Sequence, residues 1–333
     1  MQTNRRRFLK QIGGTSAGLV AASALVSRVV SPAAAQEIVA GGARPTRKSY
    51  VTARCMLELE GLPCGWIWTA EGGSVTADVM EVRPDPTSPA RKHPGPVKYE
   101  EIILSCGAGL SEPCYDWIKA FLAGKPARKS GAVTYFDSAG SEVSRLNFTN
   151  AAIAEITFPA VDAKWQENAV MTVKLSPEST RRDRDRAGRV VNFDSVSMPP
   201  WLTNHFRLSI DGLADTSART SRIEAMVARN EPATGLEISD LVITFPPAAA
   251  QPIEIWFDDF LVKGNHADAQ EKSGRLEFLS PVQPAPFFTL SFEHLGIFRL
   301  EPVALDTGTR LVYPLQARMY CENLRFDIGF AKS

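Results

Sequence analysis

The chain has 333 residues, with 37 Lys plus Arg against 37 Asp plus Glu, so its formal net charge is zero. A neutral chain lacks the field that holds a polyphosphate backbone or an anionic bilayer, which argues against nucleic acid as a partner and against any membrane role beyond export. The first segment is an address. Arg5, Arg6, Arg7, Phe8, Leu9 and Lys10 form a twin-arginine pattern, and an apolar, Gly/Ala-rich stretch runs from Ile12 to Val26. Ala33, Ala34 and Ala35 then make a small-residue cleavage site ahead of Gln36. Basic segment, short apolar segment and small-x-small site in that order read as a signal peptide over 1–35. The apolar run is shorter than the ~20 residues a spanning helix needs. The expected location is therefore periplasmic or extracellular, by the twin-arginine route for folded cargo.

The remainder matches itself. Leu57 to Leu62 recurs as Leu208 to Leu213, and Lys98 to Leu104 as Glu237 to Ile243. Tyr115 to Leu122 recurs as Glu254 to Leu261 with Trp117 matching Trp256, Lys129-Ser130-Gly131 as Lys272-Ser273-Gly274, and Leu146-Asn147-Phe148 as Leu290-Ser291-Phe292. The displacements, 151, 139, 139, 143 and 144 residues, keep one order and a narrow band, the signature of an internal repeat. The fall from 151 to 139 places an insertion of about a dozen residues in the first copy, within Gly72 to Val97, whose Pro and Gly content reads as a long loop or hairpin. Thr180 to Arg189 alternates charge without apolar residues and reads as a solvated linker. The expected organisation is a first domain over 36–178, a charged linker over 179–200 and a second domain over 201–333.

Within a copy the periodicity is mostly that of strands. Arg54 to Leu62 alternates with Cys55, Leu57 and Leu59 on one face, and Ala132 to Asp137, Ser144 to Asn150, Ile153 to Phe158 and Ala169 to Leu175 follow as strands. One helix is expected per copy. In Pro113 to Ala123 the residues Tyr115, Trp117, Ile118, Phe121 and Leu122 form an apolar stripe, started by Ser111 with Pro113 in the first turn and ended by Gly124; Pro252 to Val262, ended by Gly264, repeats it.

Groups able to do chemistry occur singly. Four histidines, His93, His205, His266 and His294, lie far apart in sequence. Asp258-Asp259 falls on a helix, where neighbours point in different directions, and Glu100-Glu101 falls at a strand start, where they take opposite faces. Glu293-His294 lacks the spacing of a zinc site, and Gly107-Ala108-Gly109 is too short to cradle a phosphate. No catalytic residue, metal ligand or cofactor is expected, and the chain reads as no enzyme. Of the five cysteines, Cys55, Cys64, Cys106 and Cys114 allow two disulfides with Cys321 left over, and buried free thiols are an equal alternative. Trp66 and Trp68 share one strand face, as core or subunit-interface residues or as a platform for stacking a ligand such as a sugar. Trp117 and Trp256 read as core.

The run from Lys98 to Thr180 resembles the tail-tube family of contractile phages, typified by the T4 tube protein, and its relatives in contractile injection systems. The residues that carry the likeness are Lys98-Tyr99, Tyr115-Asp116-Trp117, Arg128-Lys129-Ser130-Gly131 and Arg145-Leu146-Asn147-Phe148-Thr149-Asn150, with Trp165 to Ser179 similar to that family's closing strand. The resemblance implies a mainly β chain of two tandem tail-tube-like β-sandwich or barrel domains, each with one flanking α-helix. It further implies self-assembly into rings or tubes, alone or with other tail-like or injection-system components, a trimer of fused copies forming a pseudo-hexamer. The rival expectation is a monomeric periplasmic protein that reuses the fold to bind a partner or a polysaccharide.

Overall fold

The computed structural model describes residues 54–83, 89–184, 190–191, 200–231, 233–281, 286–303, 305–306 and 311–329. The export residues Arg5, Arg6, Phe8, Leu9, Lys10, Ala33 and Ala35 lie outside them. The described residues form one compact unit. Its first half contains β1 (Arg54–Leu59), β2 (Leu62–Gly72), β3 (Val75–Val82), β4 (Arg91–Tyr99), β5 (Ile102–Leu110), α1 (Glu112–Leu122), β6 (Lys129–Phe136), β7 (Glu142–Phe158), β8 (Val161–Asp162), β9 (Met171–Ser176) and β10 (Ser179–Arg184). The second contains β11 (Phe206–Ile210), α2 (Ala214–Ala218), β12 (Arg222–Ile223), β13 (Met226–Glu231), β14 (Gly235–Ile238), β15 (Leu241–Phe245), α3 (Gln251–Phe257), β16 (Lys272–Leu279), β17 (Pro286–Pro302), β18 (Leu305–Asp306), β19 (Leu311–Val312) and β20 (Leu315–Ile328).

In the first half β7, β6, β1, β2, β5 and β9 pair in that order and β9 returns to β7, so the sheet closes into a barrel, while β10 and β13 pair along the parts of β7 that run past the closure. The second half follows the path β11-β16-β17-β20-β15-β12 but stays open between β11 and β12, where α2 occupies the connection. The Thr216 hydroxyl of α2 donates to the Ala249 carbonyl at 2.7 Å, and Ser217 Oγ accepts from the Ile210 N–H at 3.1 Å. This second helix was not expected from the sequence.

The repeat is written in the pairing register. Val133↔Leu146 and Gly131↔Phe148 in the first half stand where Leu276↔Leu290 and Gly274↔Phe292 stand in the second. Ile102↔Leu175 corresponds to Leu241↔Met319, and Ile156↔Val173 to Leu300↔Ala317. Even the bulges coincide, between Ile153 and Glu155 and between Ile297 and Arg299. The Lys-Ser-Gly repeat has a steric cause: a Cβ on Gly131 would stand 2.1 Å from the Glu58 carbonyl oxygen, and one on Gly274 2.6 Å from that of Ser209. Trp117 and Trp256 are both buried, and each ring N–H donates to a matching carbonyl, Ala127 at 2.8 Å and Gln270 at 3.3 Å.

Several expectations are corrected. Ser144–Asn150 and Ile153–Phe158 belong to one strand, β7, which Asn150 (φ +50°) bends through a bulge; His294 (φ +57°) does the same in β17. On β1, Met56 and Glu58 are buried along with Cys55, Leu57 and Leu59, because both faces of the strand are covered. Residues 179–184, read as the start of a linker, form β10 and pair antiparallel with β7, Asn147 Nδ2 donating to Asp183 at 2.9 Å. Gly72–Val97 is a hairpin, β3 paired with β4, with residues 84–88 outside those described. Glu100 and Glu101 occupy the junction between β4 and β5, not a strand start, and Gly107 to Gly109 lies within β5. The second-half helix covers the expected span but widens to a π turn over Asp258–Val262.

Candidate assembly interface

Three features tie the halves together. First, β13 pairs antiparallel with the C-terminal part of β7, Met226 opposite Phe158 and Ala228 opposite Ile156, so the β13–β14 hairpin of the second half lengthens the sheet of the first. All four side chains are buried, which follows from the alternation of β13: Met226 and Ala228 point inward while Arg229 points out. On the outer face Glu155 holds Lys174 at 2.8 Å and Arg229 at 3.7 Å, so one carboxylate clamps the barrel strand β9 to the incoming hairpin. Second, β8 of the first half pairs with β12 of the second, Val161 opposite Ile223 and Asp162 opposite Arg222, whose guanidinium is held in its charged form by Glu224 and Asp162.

Third, an aromatic cluster bridges the two. Tyr115 of α1 meets Phe288 at 5.5 Å and Phe326 at 5.9 Å between ring centroids, Phe158 of β7 meets Phe326 at 5.7 Å, and Trp201 stacks edge-on against Phe278 and Phe288. The Tyr115 hydroxyl donates to the Ala108 carbonyl at 3.0 Å, and burial pushes its pKa far up. Beside this cluster α1 and β20 flank a shallow groove of about 520 Å³ that includes Lys119, Leu236, Glu293 and Arg325.

Trp66 and Trp68 lie on β2 on either side of the buried Ile67, so the shared face foreseen for them is the outer one. Trp66 is half-buried with its ring 5.4 Å from Phe136, and Trp68 is 44% exposed beside Gly107. The isolated acidic pairs find separate partners. Asp258 holds Lys263 at 2.6 Å while Asp259 accepts from Asn265, and Glu293 holds Arg325 at 3.0 Å while His294 Nδ1 lies 2.7 Å from Glu271. All five cysteines are buried free thiols. Cys64 and Cys114 hydrogen-bond each other, which lowers Cys64 to about 7 and raises Cys114, whereas burial alone takes Cys106 to about 12. Among the described residues no group of His, Cys, Asp and Glu is gathered that could hold a metal ion, and no helix is long and apolar enough to cross a membrane.

The first half is thus a closed barrel with one packed helix, carrying a long hairpin and extended by a strand at its rim. Residues 67–181 match the family model of the T4-like virus tail tube protein gp19. That segment resembles the tail-tube family. The chain is also similar to several solved structures. One is the tube-terminating cap of the anti-feeding prophage, at 26% identity over 45% of this chain and 97% of that one, with a TM-score of 0.34. Another is the sheath–tube complex of the extracellular contractile injection system PVC in its extended state, at 21% identity over 42% and 94%, with a TM-score of 0.37. A third is Hcp1 from Flavobacterium johnsoniae, at 13% identity over 42% and 99%, with a TM-score of 0.28. No curated protein matches the chain.

What sequence reasoning missed is the junction itself. The β13–β14 hairpin is faint in the sequence because it keeps only the base of the long hairpin of the first half. The alternation in Met226 to Glu231 followed by Thr234-Gly235 is the signal that marks it.

Proposed function

We propose that this chain is an exported, non-enzymatic structural subunit that self-assembles into rings or short tubes. Three chains would supply six β units, one closed and one open from each chain, a pseudo-hexamer of a tandemly duplicated tail-tube-like domain. The observation that carries this reading is the junction of β13 with β7: within one chain, a hairpin of one unit already completes the sheet of the other, which is strand addition at an open edge. The family match over residues 67–181 supports a structural role, and it favours other tail-like or injection-system components as further partners. The twin-arginine pattern at Arg5-Arg6 and the small residues at Ala33 and Ala35 support assembly in the periplasm or outside the cell.

Light scattering of the purified chain, with negative-stain images of the same sample, tests assembly. Trimers, rings or tubes are expected, and a monomer at high concentration refutes it. Cell fractionation tests export: replacing both Arg5 and Arg6 by Lys should hold the chain in the cytoplasm, and unchanged export overturns the leader. The exposed ring of Trp68 beside Trp66 favours one second reading, a monomeric exported protein that stacks a polysaccharide on that face. Retarded migration of the chain in a polysaccharide gel, lost in Trp68→Ala, would select it.

A further inference from the structure

The internal repeat leaves one hairpin and one strand edge without partners, and the occupied pair shows how they fit. In the β3–β4 hairpin Val75↔Tyr99, Thr76↔Lys98 and Ala77↔Val97 repeat the register of Ala228↔Ile238, Arg229↔Glu237 and Asn230↔Leu236 in β13–β14. The β7 segment that receives β13 has its counterpart in β17, since Glu155↔Lys174 and Ile156↔Val173 correspond to Arg299↔Arg318 and Leu300↔Ala317. On β7 that segment pairs on both sides. On β17 the same segment pairs with β20 alone among the described residues, because β16 reaches only Leu295. We propose that a second copy of this chain adds its β3–β4 hairpin to this open edge of β17, with Val75 opposite Leu300, Thr76 opposite Arg299 and Ser74 opposite Glu301. The proposal rests on the assembly reading and specifies which edge receives which hairpin.

Exposure follows the vacancy. Ile156 and Phe158 are buried at the occupied edge, whereas Leu300 is half-buried, Pro302 exposed and Phe298 40% exposed at the open one. Ala228 is fully buried against β7, and its counterpart Val75 is 56% exposed. An isolated two-stranded hairpin is marginal in water, yet this one also presents Val79, Met80, Val82 and Val97 to solvent. The charges complement each other as well. Where the occupied edge has Glu155 beside Lys174, the open edge has Arg299, which Glu301 holds at 2.7 Å, beside Arg318, whose Nε is buried without an acceptor. Asp78, two residues beyond Thr76 and ion-paired with Lys98 on its own hairpin, would arrive diagonal to Arg299, within reach of its long side chain.

The test is a register-specific cross-link between chains that carry Thr76→Cys and chains that carry Arg299→Cys. Directly opposite residues in an antiparallel pair lie at Cα separations of about 4.5–5.5 Å, inside the range a disulfide bridges. The native thiols are all buried and do not compete. Under a mild thiol oxidant the mixture should yield a reducible band at twice the 36.4 kDa chain mass, which neither chain gives alone and which Thr76→Cys with Glu301→Cys gives only weakly. Val75→Asp, at an exposed position, should keep the circular dichroism and melting temperature of the single chain while losing the higher-mass species. Assembly by light scattering without the 76–299 band overturns this interface and leaves the assembly reading standing. A monomer with no band overturns both.

Discussion

Replacing Phe326 by Ala tests whether the two halves share one core. Phe326 is 3% exposed, and its ring meets Tyr115 at 5.9 Å, Phe158 at 5.7 Å and Phe288 at 5.3 Å. Tyr115 and Phe158 belong to the first half and Phe288 to the second, so the cavity left by truncation opens on both. Buried Phe→Ala changes cost about 3–5 kcal/mol. Three ring partners argue for the upper part of that range, because each aromatic pair adds about 0.5–1.5 kcal/mol beyond area burial. At about 2 °C per kcal/mol for a chain of this size, the midpoint should fall by roughly 8 °C. Differential scanning calorimetry with near-UV circular dichroism should show a single transition displaced as a whole, and Tyr313→Ala, at a 54% exposed position, should leave it in place. A transition that persists at the original temperature while another moves would show that the halves melt independently, and the shared-core argument would fail.

Gly131→Ala should lower the urea midpoint more than Gly274→Ala, because the added methyl meets backbone oxygen at 2.1 Å in the first case and 2.6 Å in the second; equal midpoints would refute the steric reading. The Glu271 carboxylate raises the His294 pKa, with Glu322 and Asp268 adding to it. A raised folded value means the pair's contribution is complete below the ordinary histidine pKa and is lost as pH rises through the folded one. The urea midpoint of the native chain should therefore fall over that interval by more than that of His294→Gln, and parallel curves would discount the pair. Because all five thiols are buried, iodoacetamide should modify none in the folded chain at pH 8 and all in denaturant; rapid native labelling of Cys64 would show that β2 opens readily around it.

The sequence made the repeat legible wherever packing dictates residue type. The Lys-Ser-Gly triplets sit where a strand backbone crowds the glycine, and the paired tryptophans sit where a helix needs a large ring with a donor aimed at a fixed carbonyl. Legibility failed where partners are remote. Glu58 reads as a solvent-facing residue of an alternating strand, yet it is buried and ion-paired to Arg145 across the sheet, a contact invisible in local periodicity. The charged residues of β10 read as solvated linker, but they face polar partners on β7, including Asn147, so their polarity marks an outer strand and not an absence of structure. The bulge at Asn150 makes one strand read as two, because a single left-handed residue reverses the inward and outward alternation beyond it.

The halves repeat a register but not a surface, and the difference has a direction. Arg229 of β13 meets Glu155 on β7. Carried to the matching place on β17, the same arginine would face Arg299 with Arg318 behind it, like charges directly opposite each other, which disfavours the pairing. The short hairpin of the second half is thus matched to the edge inside its own chain and mismatched to the open one. Thr76, the counterpart of Arg229 on the long hairpin, carries no charge and brings Asp78 two residues behind. Two edges of identical shape in one chain would otherwise accept either hairpin and propagate mixed, non-closing contacts. Opposite charges at a single matched position separate the two pairings without altering the backbone register that both halves share.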